Sequence, residues 1–161
     1  MQELRAQEID EVGLLESLEA LIGDHNRRAR GKTQFILEPH GDVNALPPTM
    51  RVHIFHIVQE GLTNAVKHAQ ASNVRAVVRV CLAQHGAPES DTGPVEVTIV
   101  DDGVGMVREV KGEAGFGLGL VGIRERALLL GGQMTVRSGP DKGLIFNVTI
   151  PVSTPELFCI G

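Results

Sequence analysis

The spacing of apolar residues alternates along the chain between the period of a helix and that of a strand. The resulting order of helices and strands constrains the possible folds more than any other feature of the sequence. Helical spacing predicts helices from about residue 12 to the basic segment at 25–32, over about 49–71, and over 120–132. Alternating or β-branched segments predict strands at 33–38, 74–83, 95–102, 133–139 and 144–151. The order predicts an α/β (α+β) fold: a two-layer sandwich with a mixed, mostly antiparallel sheet of about five strands and three helices on one face.

The composition is typical of one folded domain with an aliphatic core. The chain has 161 residues, 42% of them hydrophobic, with no Trp or Tyr and five Phe. A net charge of −5 argues against a basic surface that binds nucleic acid. Its two cysteines, Cys81 and Cys159, indicate reduced thiols rather than a disulfide framework or a zinc site. Since no apolar run reaches the roughly 20 residues of a membrane span and the charged N-terminus lacks an apolar signal core, we expect a cytoplasmic domain without direct membrane contact.

The helix predicted at 49–71 carries a line of polar residues beside its apolar stripe. The stripe comprises Ile54, Val58, Leu62, Ala65 and Ala69. The polar line comprises Glu60, Asn64, Lys67 and His68, at i, i+4, i+7 and i+8. Taken alone, this pattern is typical of a solvated helix face. The alternative is a polyanion site, in which Asn64 gives an amide oxygen to Mg²⁺, Lys67 and His68 face phosphate oxygens, and Glu60 takes a proton.

Two glycine-bearing segments are also candidates for ligand binding. Asp101 ends a strand just before Gly103 and Gly105, where a carboxylate can accept a hydrogen bond from an exocyclic amine and the glycines let a flat ring approach. The alternative there is an acidic hairpin turn. In GFGLGL (115–120) the glycines open a helix, so backbone N–H groups would face an anion. A flexible hinge is the alternative, and neither a Rossmann nor a Walker pattern fits this segment.

The three segments together carry a resemblance to a known family. Glu-x3-Asn-x2-Lys-His, Asp-x-Gly-x-Gly and Gly-x-Gly-x-Gly, in this order, resemble the GHKL ATPases, which have the Bergerat nucleotide-binding fold. The resemblance covers roughly residues 12–151. Within the superfamily, the chain is most similar to catalytic domains of NarL-type two-component sensor histidine kinases. That finer match rests on EIDEVGLLESLEAL, IVQEGLTNAVKHAQASNV and GLVGIRERALLLGG, the last with its Gly-x-Arg-Glu-Arg core.

The resemblance implies a role for each matching residue. Asp101 would bind the adenine amine, assisted through water by Gly105 and Thr149. Asn64 would hold Mg²⁺, and Glu60 would be the general base or polarising carboxylate. Residues 106–116 would form a lid over ATP, with Met106 among the residues lining the adenine pocket. The implied nucleotide-binding set is Asn64, Lys67, His68, Asp101, Gly103, Gly105, Met106, Gly115, Phe116, Gly117, Leu118, Gly119, Leu120 and Thr149.

Two features depart from the family pattern. Gly143-Leu144 stands where the family usually has Gly-Thr, so a hydroxyl is lost. None of the six histidines is followed by the acidic residue that marks a phosphoacceptor. We therefore expect residues 12–161 to be the catalytic domain of a longer kinase, and residues 1–11 to be the end of a dimerisation or phosphoacceptor helix. A membrane anchor elsewhere in that longer protein stays open.

The expected activity is ATP-dependent phosphorylation of a histidine. Its acceptor would lie on the separate dimerisation domain of the same kinase, which would then serve a response regulator; the fragment itself would be a monomer. Two alternatives stay open. One is a serine kinase of the anti-sigma-factor type, which has the same fold, and the other is an ATP-binding module without turnover. Gyrase-like and mismatch-repair ATPases fit less well because their chains are much larger.

Overall fold

A computed structural model describes residues 9, 11–68, 71–81, 94–103, 120–138 and 143–151. Three α-helices lie in this part of the chain: α1 (Leu14–Ala29), α2 (Pro48–His68) and α3 (Leu120–Leu129). A short 3-10 turn, Val43–Ala45, precedes α2. The strands are β1 (Gln34–His40), β2 (Asn73–Val80), β3 (Val95–Asp101), β4 (Gln133–Ser138) and β5 (Leu144–Ile150). Each predicted element is therefore present, with ends that differ by a few residues.

The five strands form one mixed sheet in the order β1-β2-β3-β5-β4. β1 and β2 are parallel, and the chain between them contains α2, as a parallel crossover requires. The other three pairings are antiparallel. The predicted mixed, mostly antiparallel sheet is confirmed.

The core lies between the helices and one face of the sheet. In β3 and β5 every second residue is buried, as the period of a strand requires. The helices cover this face with aliphatic side chains, among them Leu18, Ile54, Leu62 and Ile123, which are 0% exposed. The core is therefore largely aliphatic, as the composition predicts.

Gly61 lets α2 approach the sheet closely. A Cβ atom at this position would lie 2.5 Å from Cζ of Phe146 and 3.0 Å from Cγ1 of Ile99, so a larger residue would push the helix away. Ile99 lies two residues before Asp101 on the same face of β3. Gly61 thereby sets how closely the helix that carries Glu60 and Asn64 lies to β3.

The helix α3 ends at a glycine, as predicted. Gly131 has a φ of 77°, and its N–H donates to the carbonyl of Leu128. The N–H of Gly132 donates to the carbonyl of Ala127 at 2.7 Å. This pattern of left-handed glycine and returning hydrogen bonds is a common helix terminus. Among the described residues, no helix combines the length and the apolar character that crossing a membrane requires.

Candidate functional site

Asn64 is a buried residue on α2, only 5% exposed. Its Oδ1 atom is buried and has no hydrogen-bond partner among the described residues. A buried polar atom without a partner is costly and rare, unless a ligand or water supplies the missing bond. The solvated-face interpretation is therefore wrong for Asn64, and its oxygen fits a ligand-binding role.

Asp101 is the last residue of β3 and is 3% exposed. Its Oδ1 accepts hydrogen bonds from the N–H of Gly103 at 3.0 Å and from the N–H of Leu144 at 3.2 Å. Burial raises the pKa of Asp101 above its ordinary value, while these two hydrogen bonds act in the opposite direction. Both of these hydrogen bonds reach Oδ1. The carboxylate is thus fixed through one oxygen, and the other can accept a hydrogen bond from a ligand.

The pair Gly143-Leu144 supports Asp101 through its backbone. Gly143 has a φ of 69°, and a Cβ there would lie 2.2 Å from the Asp101 carbonyl oxygen. Only glycine fits this position without displacing Asp101. The side chain of Leu144 is buried, while its N–H contacts the carboxylate. The leucine that replaces the usual threonine therefore keeps a main-chain contact to the site.

The neighbouring Asp102 has a different role. Its Oδ1 accepts hydrogen bonds from the N–H groups of Ser72 and Asn73 at 2.8 and 2.9 Å, and its Oδ2 accepts one from Asn73 Nδ2 at 3.0 Å. The hydrogen bond from the Asn73 side chain is the main cause that lowers the pKa of Asp102. Asp102 is exposed and joins the end of β3 to the start of β2, so it is a structural residue.

Glu60 lies on the face of α2 that meets α3. Nε of Arg126 donates to Oε1 of Glu60 at 3.2 Å, and the two side chains are 26% and 31% exposed, respectively. Gly122 lies against the same carboxylate, since a Cβ there would be 2.8 Å from Oε2. Sequence reasoning gave Arg126 no individual role. The available signal was the Gly-x-Arg-Glu-Arg core, which contains both Gly122 and Arg126.

The remaining expected residues differ in how far the structure places them. Gly103 donates to Asp101, and Leu120 is 1% exposed at the start of α3. Lys67 is exposed and lines a cleft of about 330 Å³ between α1 and α2, together with Arg28 and Lys32. His68 is the last residue of α2. Seven expected residues lie outside the described ranges: Gly105, Met106, Gly115, Phe116, Gly117, Leu118 and Gly119.

The structure does not bring Thr149 to the site. Thr149 pairs with Glu96 and Gln133, five positions along β5 from Leu144. At about 3.3 Å per residue, this is roughly 17 Å away from the end of the strand that contacts Asp101. Its side chain lies on the other face of the sheet from Asp101, where Oγ1 donates to Asn147 Oδ1 at 3.0 Å. The expectation that Thr149 assists at the adenine is therefore corrected: the β5 residue beside Asp101 is Leu144.

The residues present suit a metal ion that a nucleotide helps to bind. The described residues contain no cluster of three or more His, Cys, Asp or Glu side chains that could hold a metal by themselves. Mg²⁺ commonly takes only one or two protein oxygens and completes its shell with phosphates and water. The unpartnered Oδ1 of Asn64 fits that requirement.

The fold and these buried polar groups define a class of nucleotide-binding protein, and comparison with known proteins agrees. The family model described as histidine kinase-, DNA gyrase B- and HSP90-like ATPase matches residues 49–154. The chain belongs to this ATPase family, and membership implies that its ligand is ATP.

Curated relatives narrow the likeness to histidine kinases. The signal transduction histidine-protein kinase/phosphatase DegS of Brevibacillus brevis is 30% identical over 154 residues, covering 96% of this chain and 36% of the relative. The signal transduction histidine-protein kinase/phosphatase UhpB of Salmonella typhimurium is 33% identical over 148 residues, covering 92% of this chain and 26% of the relative. The chain thus spans between 26% and 36% of the length of these two relatives.

Solved structures share the fold. The histidine kinase domain of the blue-light activated histidine kinase from Erythrobacter litoralis EL346 has a TM-score of 0.64 at 22% identity, covering 94% of this chain and 73% of that chain. The ATP binding domain of PrrB from Mycobacterium tuberculosis has a TM-score of 0.60 at 23% identity, covering 84% of this chain and 90% of that chain. These likenesses confirm the predicted two-layer architecture.

Proposed function

We propose that the chain is the ATP-binding catalytic domain of a sensor histidine kinase. It transfers the γ-phosphate of ATP to a histidine on a separate dimerisation domain, which then passes the phosphate to a response regulator. The observation that carries this proposal is the pair of buried polar side chains Asn64 and Asp101: Oδ1 of Asn64 has no partner among the described residues, and Asp101 is held through its Oδ1 by two main-chain donors. The histidine kinases among the relatives support the choice of acceptor.

In this proposal the two buried side chains bind different parts of the nucleotide. Oδ2 of Asp101 accepts a hydrogen bond from the exocyclic amine of adenine. Oδ1 of Asn64 would hold Mg²⁺, which when bound would neutralise charge on the phosphates. Because phosphoryl transfer depends mainly on positioning and charge neutralisation, two fixed oxygens at the ends of the nucleotide are a sound basis for the reaction.

Other residues act on the phosphates and on the attacking histidine. Glu60 polarises the acceptor or takes its proton. Lys67 and His68, the last two residues of α2, would bind phosphate oxygens. In this proposal residues 12–161 are the catalytic domain, and residues 1–11 are the end of a dimerisation helix.

Transfer of labelled phosphate from ATP tests the proposal directly. The acceptors are a histidine-bearing kinase hairpin, an anti-sigma-factor antagonist with its serine, and a blank without acceptor. We expect acid-labile label on the hairpin alone. Acid-stable label on the antagonist would instead establish the serine kinase, and bound ATP without any transfer would establish a binding module.

A further inference from the structure

The carboxylate of Glu60 is held from two sides by one short segment of α3. Arg126 donates to Oε1 through Nε at 3.2 Å, and the backbone at Gly122 approaches Oε2 so closely that a Cβ would lie 2.8 Å from it. Gly122 and Arg126 are four residues apart, so they lie one above the other on the same side of the helix. The Gly-x-Arg-Glu-Arg core therefore supplies both a space for the carboxylate and a donor to it.

Arg126 also contacts a second residue of α2. Its Nη1 lies 3.4 Å from Nδ1 of His53. Burial lowers the pKa of His53, and the charges of Arg126 and His56 lower it further, so the imidazole is neutral at neutral pH. Because arginine only donates, Nδ1 accepts and the ring proton lies on Nε2. Arg126 is thus anchored to His53, which lies two helical turns before Glu60 on the same face of α2.

This arrangement is not required to join the two helices. The side of α3 that faces the core carries Leu120, Ile123 and Ala127, which are 1%, 0% and 0% exposed. A partly exposed ion pair contributes little to stability compared with such burial. What the pair does fix is the direction of the Glu60 side chain, which would otherwise be free to rotate on a helix surface.

We propose that Arg126 is a positioning residue for phosphoryl transfer: together with Gly122 and His53, it holds the Glu60 carboxylate on the α2 face that also carries Asn64. This inference rests on the proposed function, because it assigns to Arg126 an effect on the step in which Glu60 acts. Arg126 acts through Glu60 and needs no contact with the nucleotide.

The test combines transfer kinetics with calorimetry of ATP binding and thermal unfolding. Replacing Arg126 by alanine should lower kcat for transfer to a histidine-bearing hairpin by about 10- to 100-fold, because small misplacements of a reacting group cost that much. The Kd for ATP and the Tm should change little. Arg126→Lys, which keeps a positively charged donor group, should recover part of the loss. Arg124→Ala, an exposed position on the same helix, is the matched control and should keep the wild-type kcat.

A double-mutant cycle separates positioning from an independent role. In a Glu60→Gln background, Arg126→Ala should cause no further loss, because there is no carboxylate left to position. Additive losses would overturn the inference, as would a normal kcat in Arg126→Ala or a loss that follows a fall in Tm and ATP affinity. Gly122→Ala gives a second route, since its Cβ should displace Glu60 and lower kcat while Arg126 is intact. If the wild-type chain binds ATP but labels no hairpin, the proposed function fails together with this role. If the wild type labels the hairpin and the Arg126 and Gly122 variants label it at the same rate, only this inference fails.

Discussion

At the scale of single residues, two adjacent aspartates have opposite roles that the residue type does not reveal. Asp101 is buried and is held through Oδ1 by two main-chain donors, whereas Asp102 is exposed and has both oxygens occupied by backbone and side-chain donors. Burial raises the pKa of Asp101, and hydrogen bonds lower the pKa of Asp102. One carboxylate therefore costs stability when ionised, and the other contributes it.

We predict that Asp101→Asn abolishes ATP binding and leaves the chain at least as stable at neutral pH. The amide oxygen can still accept from Gly103 and Leu144, but an NH2 group would then oppose the adenine amine, which is also a donor. The native pKa of Asp101 is raised above its ordinary value of 3.8. Between these two pKa values the native state binds more protons than the unfolded chain, so wild-type stability falls as the pH rises from 3.8 through the native pKa. The variant lacks that decline, so its advantage should vanish in acid below the ordinary carboxyl pKa of 3.8. Calorimetry with ATP and unfolding across pH measure both effects.

Asp102→Asn is the matched control for that experiment. The pKa of the Asp102 carboxyl is lowered in the native state. Its ionised form therefore contributes to stability above pH 3.8, and this contribution is lost as the pH falls through the native pKa. The variant should lose stability at neutral pH and keep its affinity for ATP. Unchanged ATP affinity in Asp101→Asn would falsify the adenine role of Asp101.

At the scale of elements, the site depends on how closely α2 packs on the sheet. The sequence pattern predicts which side of α2 is apolar, because that depends on local spacing alone. It did not predict that Asn64 is buried or that Glu60 meets Arg126, since both depend on contacts with residues far along the chain. The expectation for Thr149 is wrong for a similar reason: which residue of β5 lies beside Asp101 is set by strand register, and a strand pattern alone does not give register.

We predict that Gly61→Ala destabilises the fold by about 1–3 kcal/mol, the usual cost of overpacking a core. The added methyl would lie 2.5 Å from the ring of Phe146 and 3.0 Å from Ile99, so α2 must move outward. Movement of α2 shifts Glu60 and Asn64 away from β3, and ATP affinity should fall as well. Urea unfolding and calorimetry measure the two effects.

Gly23→Ala on α1 is the control, because its Cβ would be no closer than 3.5 Å to Nη1 of Arg27. Replacing a helical glycine at an open position should stabilise the chain by roughly 0.5–1 kcal/mol. If both variants gain stability, close packing at Gly61 is not what fixes the position of α2 on the sheet.

At the scale of the whole molecule, ligand binding is coupled to folding, because a ligand that binds only the folded state stabilises it. A nucleotide that binds the folded state but not the unfolded state raises the free energy of unfolding. At a concentration of about a hundred times its Kd, the rise is about 2.7 kcal/mol. We predict that Asn64→Leu is at least as stable as the wild type without ligand, because it removes a buried oxygen without a protein partner. In the wild type, a Mg²⁺ chelator should remove part of the rise in Tm that ATP causes. Asn64→Leu should lack this Mg²⁺-dependent part of the rise.

Asn26 gives the contrast, because both the Nδ2 and the Oδ1 of its amide are hydrogen-bonded. Its Nδ2 donates to the carbonyl of Phe35 at 3.0 Å, and its Oδ1 accepts from the N–H of Phe35 at 2.8 Å. Asn26→Leu should lower Tm and keep the full Mg²⁺-dependent rise with ATP. A Mg²⁺-dependent rise that survives in Asn64→Leu would remove Asn64 from the metal site.

The support of Asp101 by main-chain donors bears on resistance to inhibitors. Both hydrogen bonds to Oδ1 come from backbone N–H groups, so a substitution at 103 or 144 leaves the donor in place unless the new residue is proline. A purine mimic that anchors on Oδ2 would thus meet few escape mutations in its immediate support. A change of Asp101 itself, the direct escape, would also remove the contact to ATP that we propose for this residue.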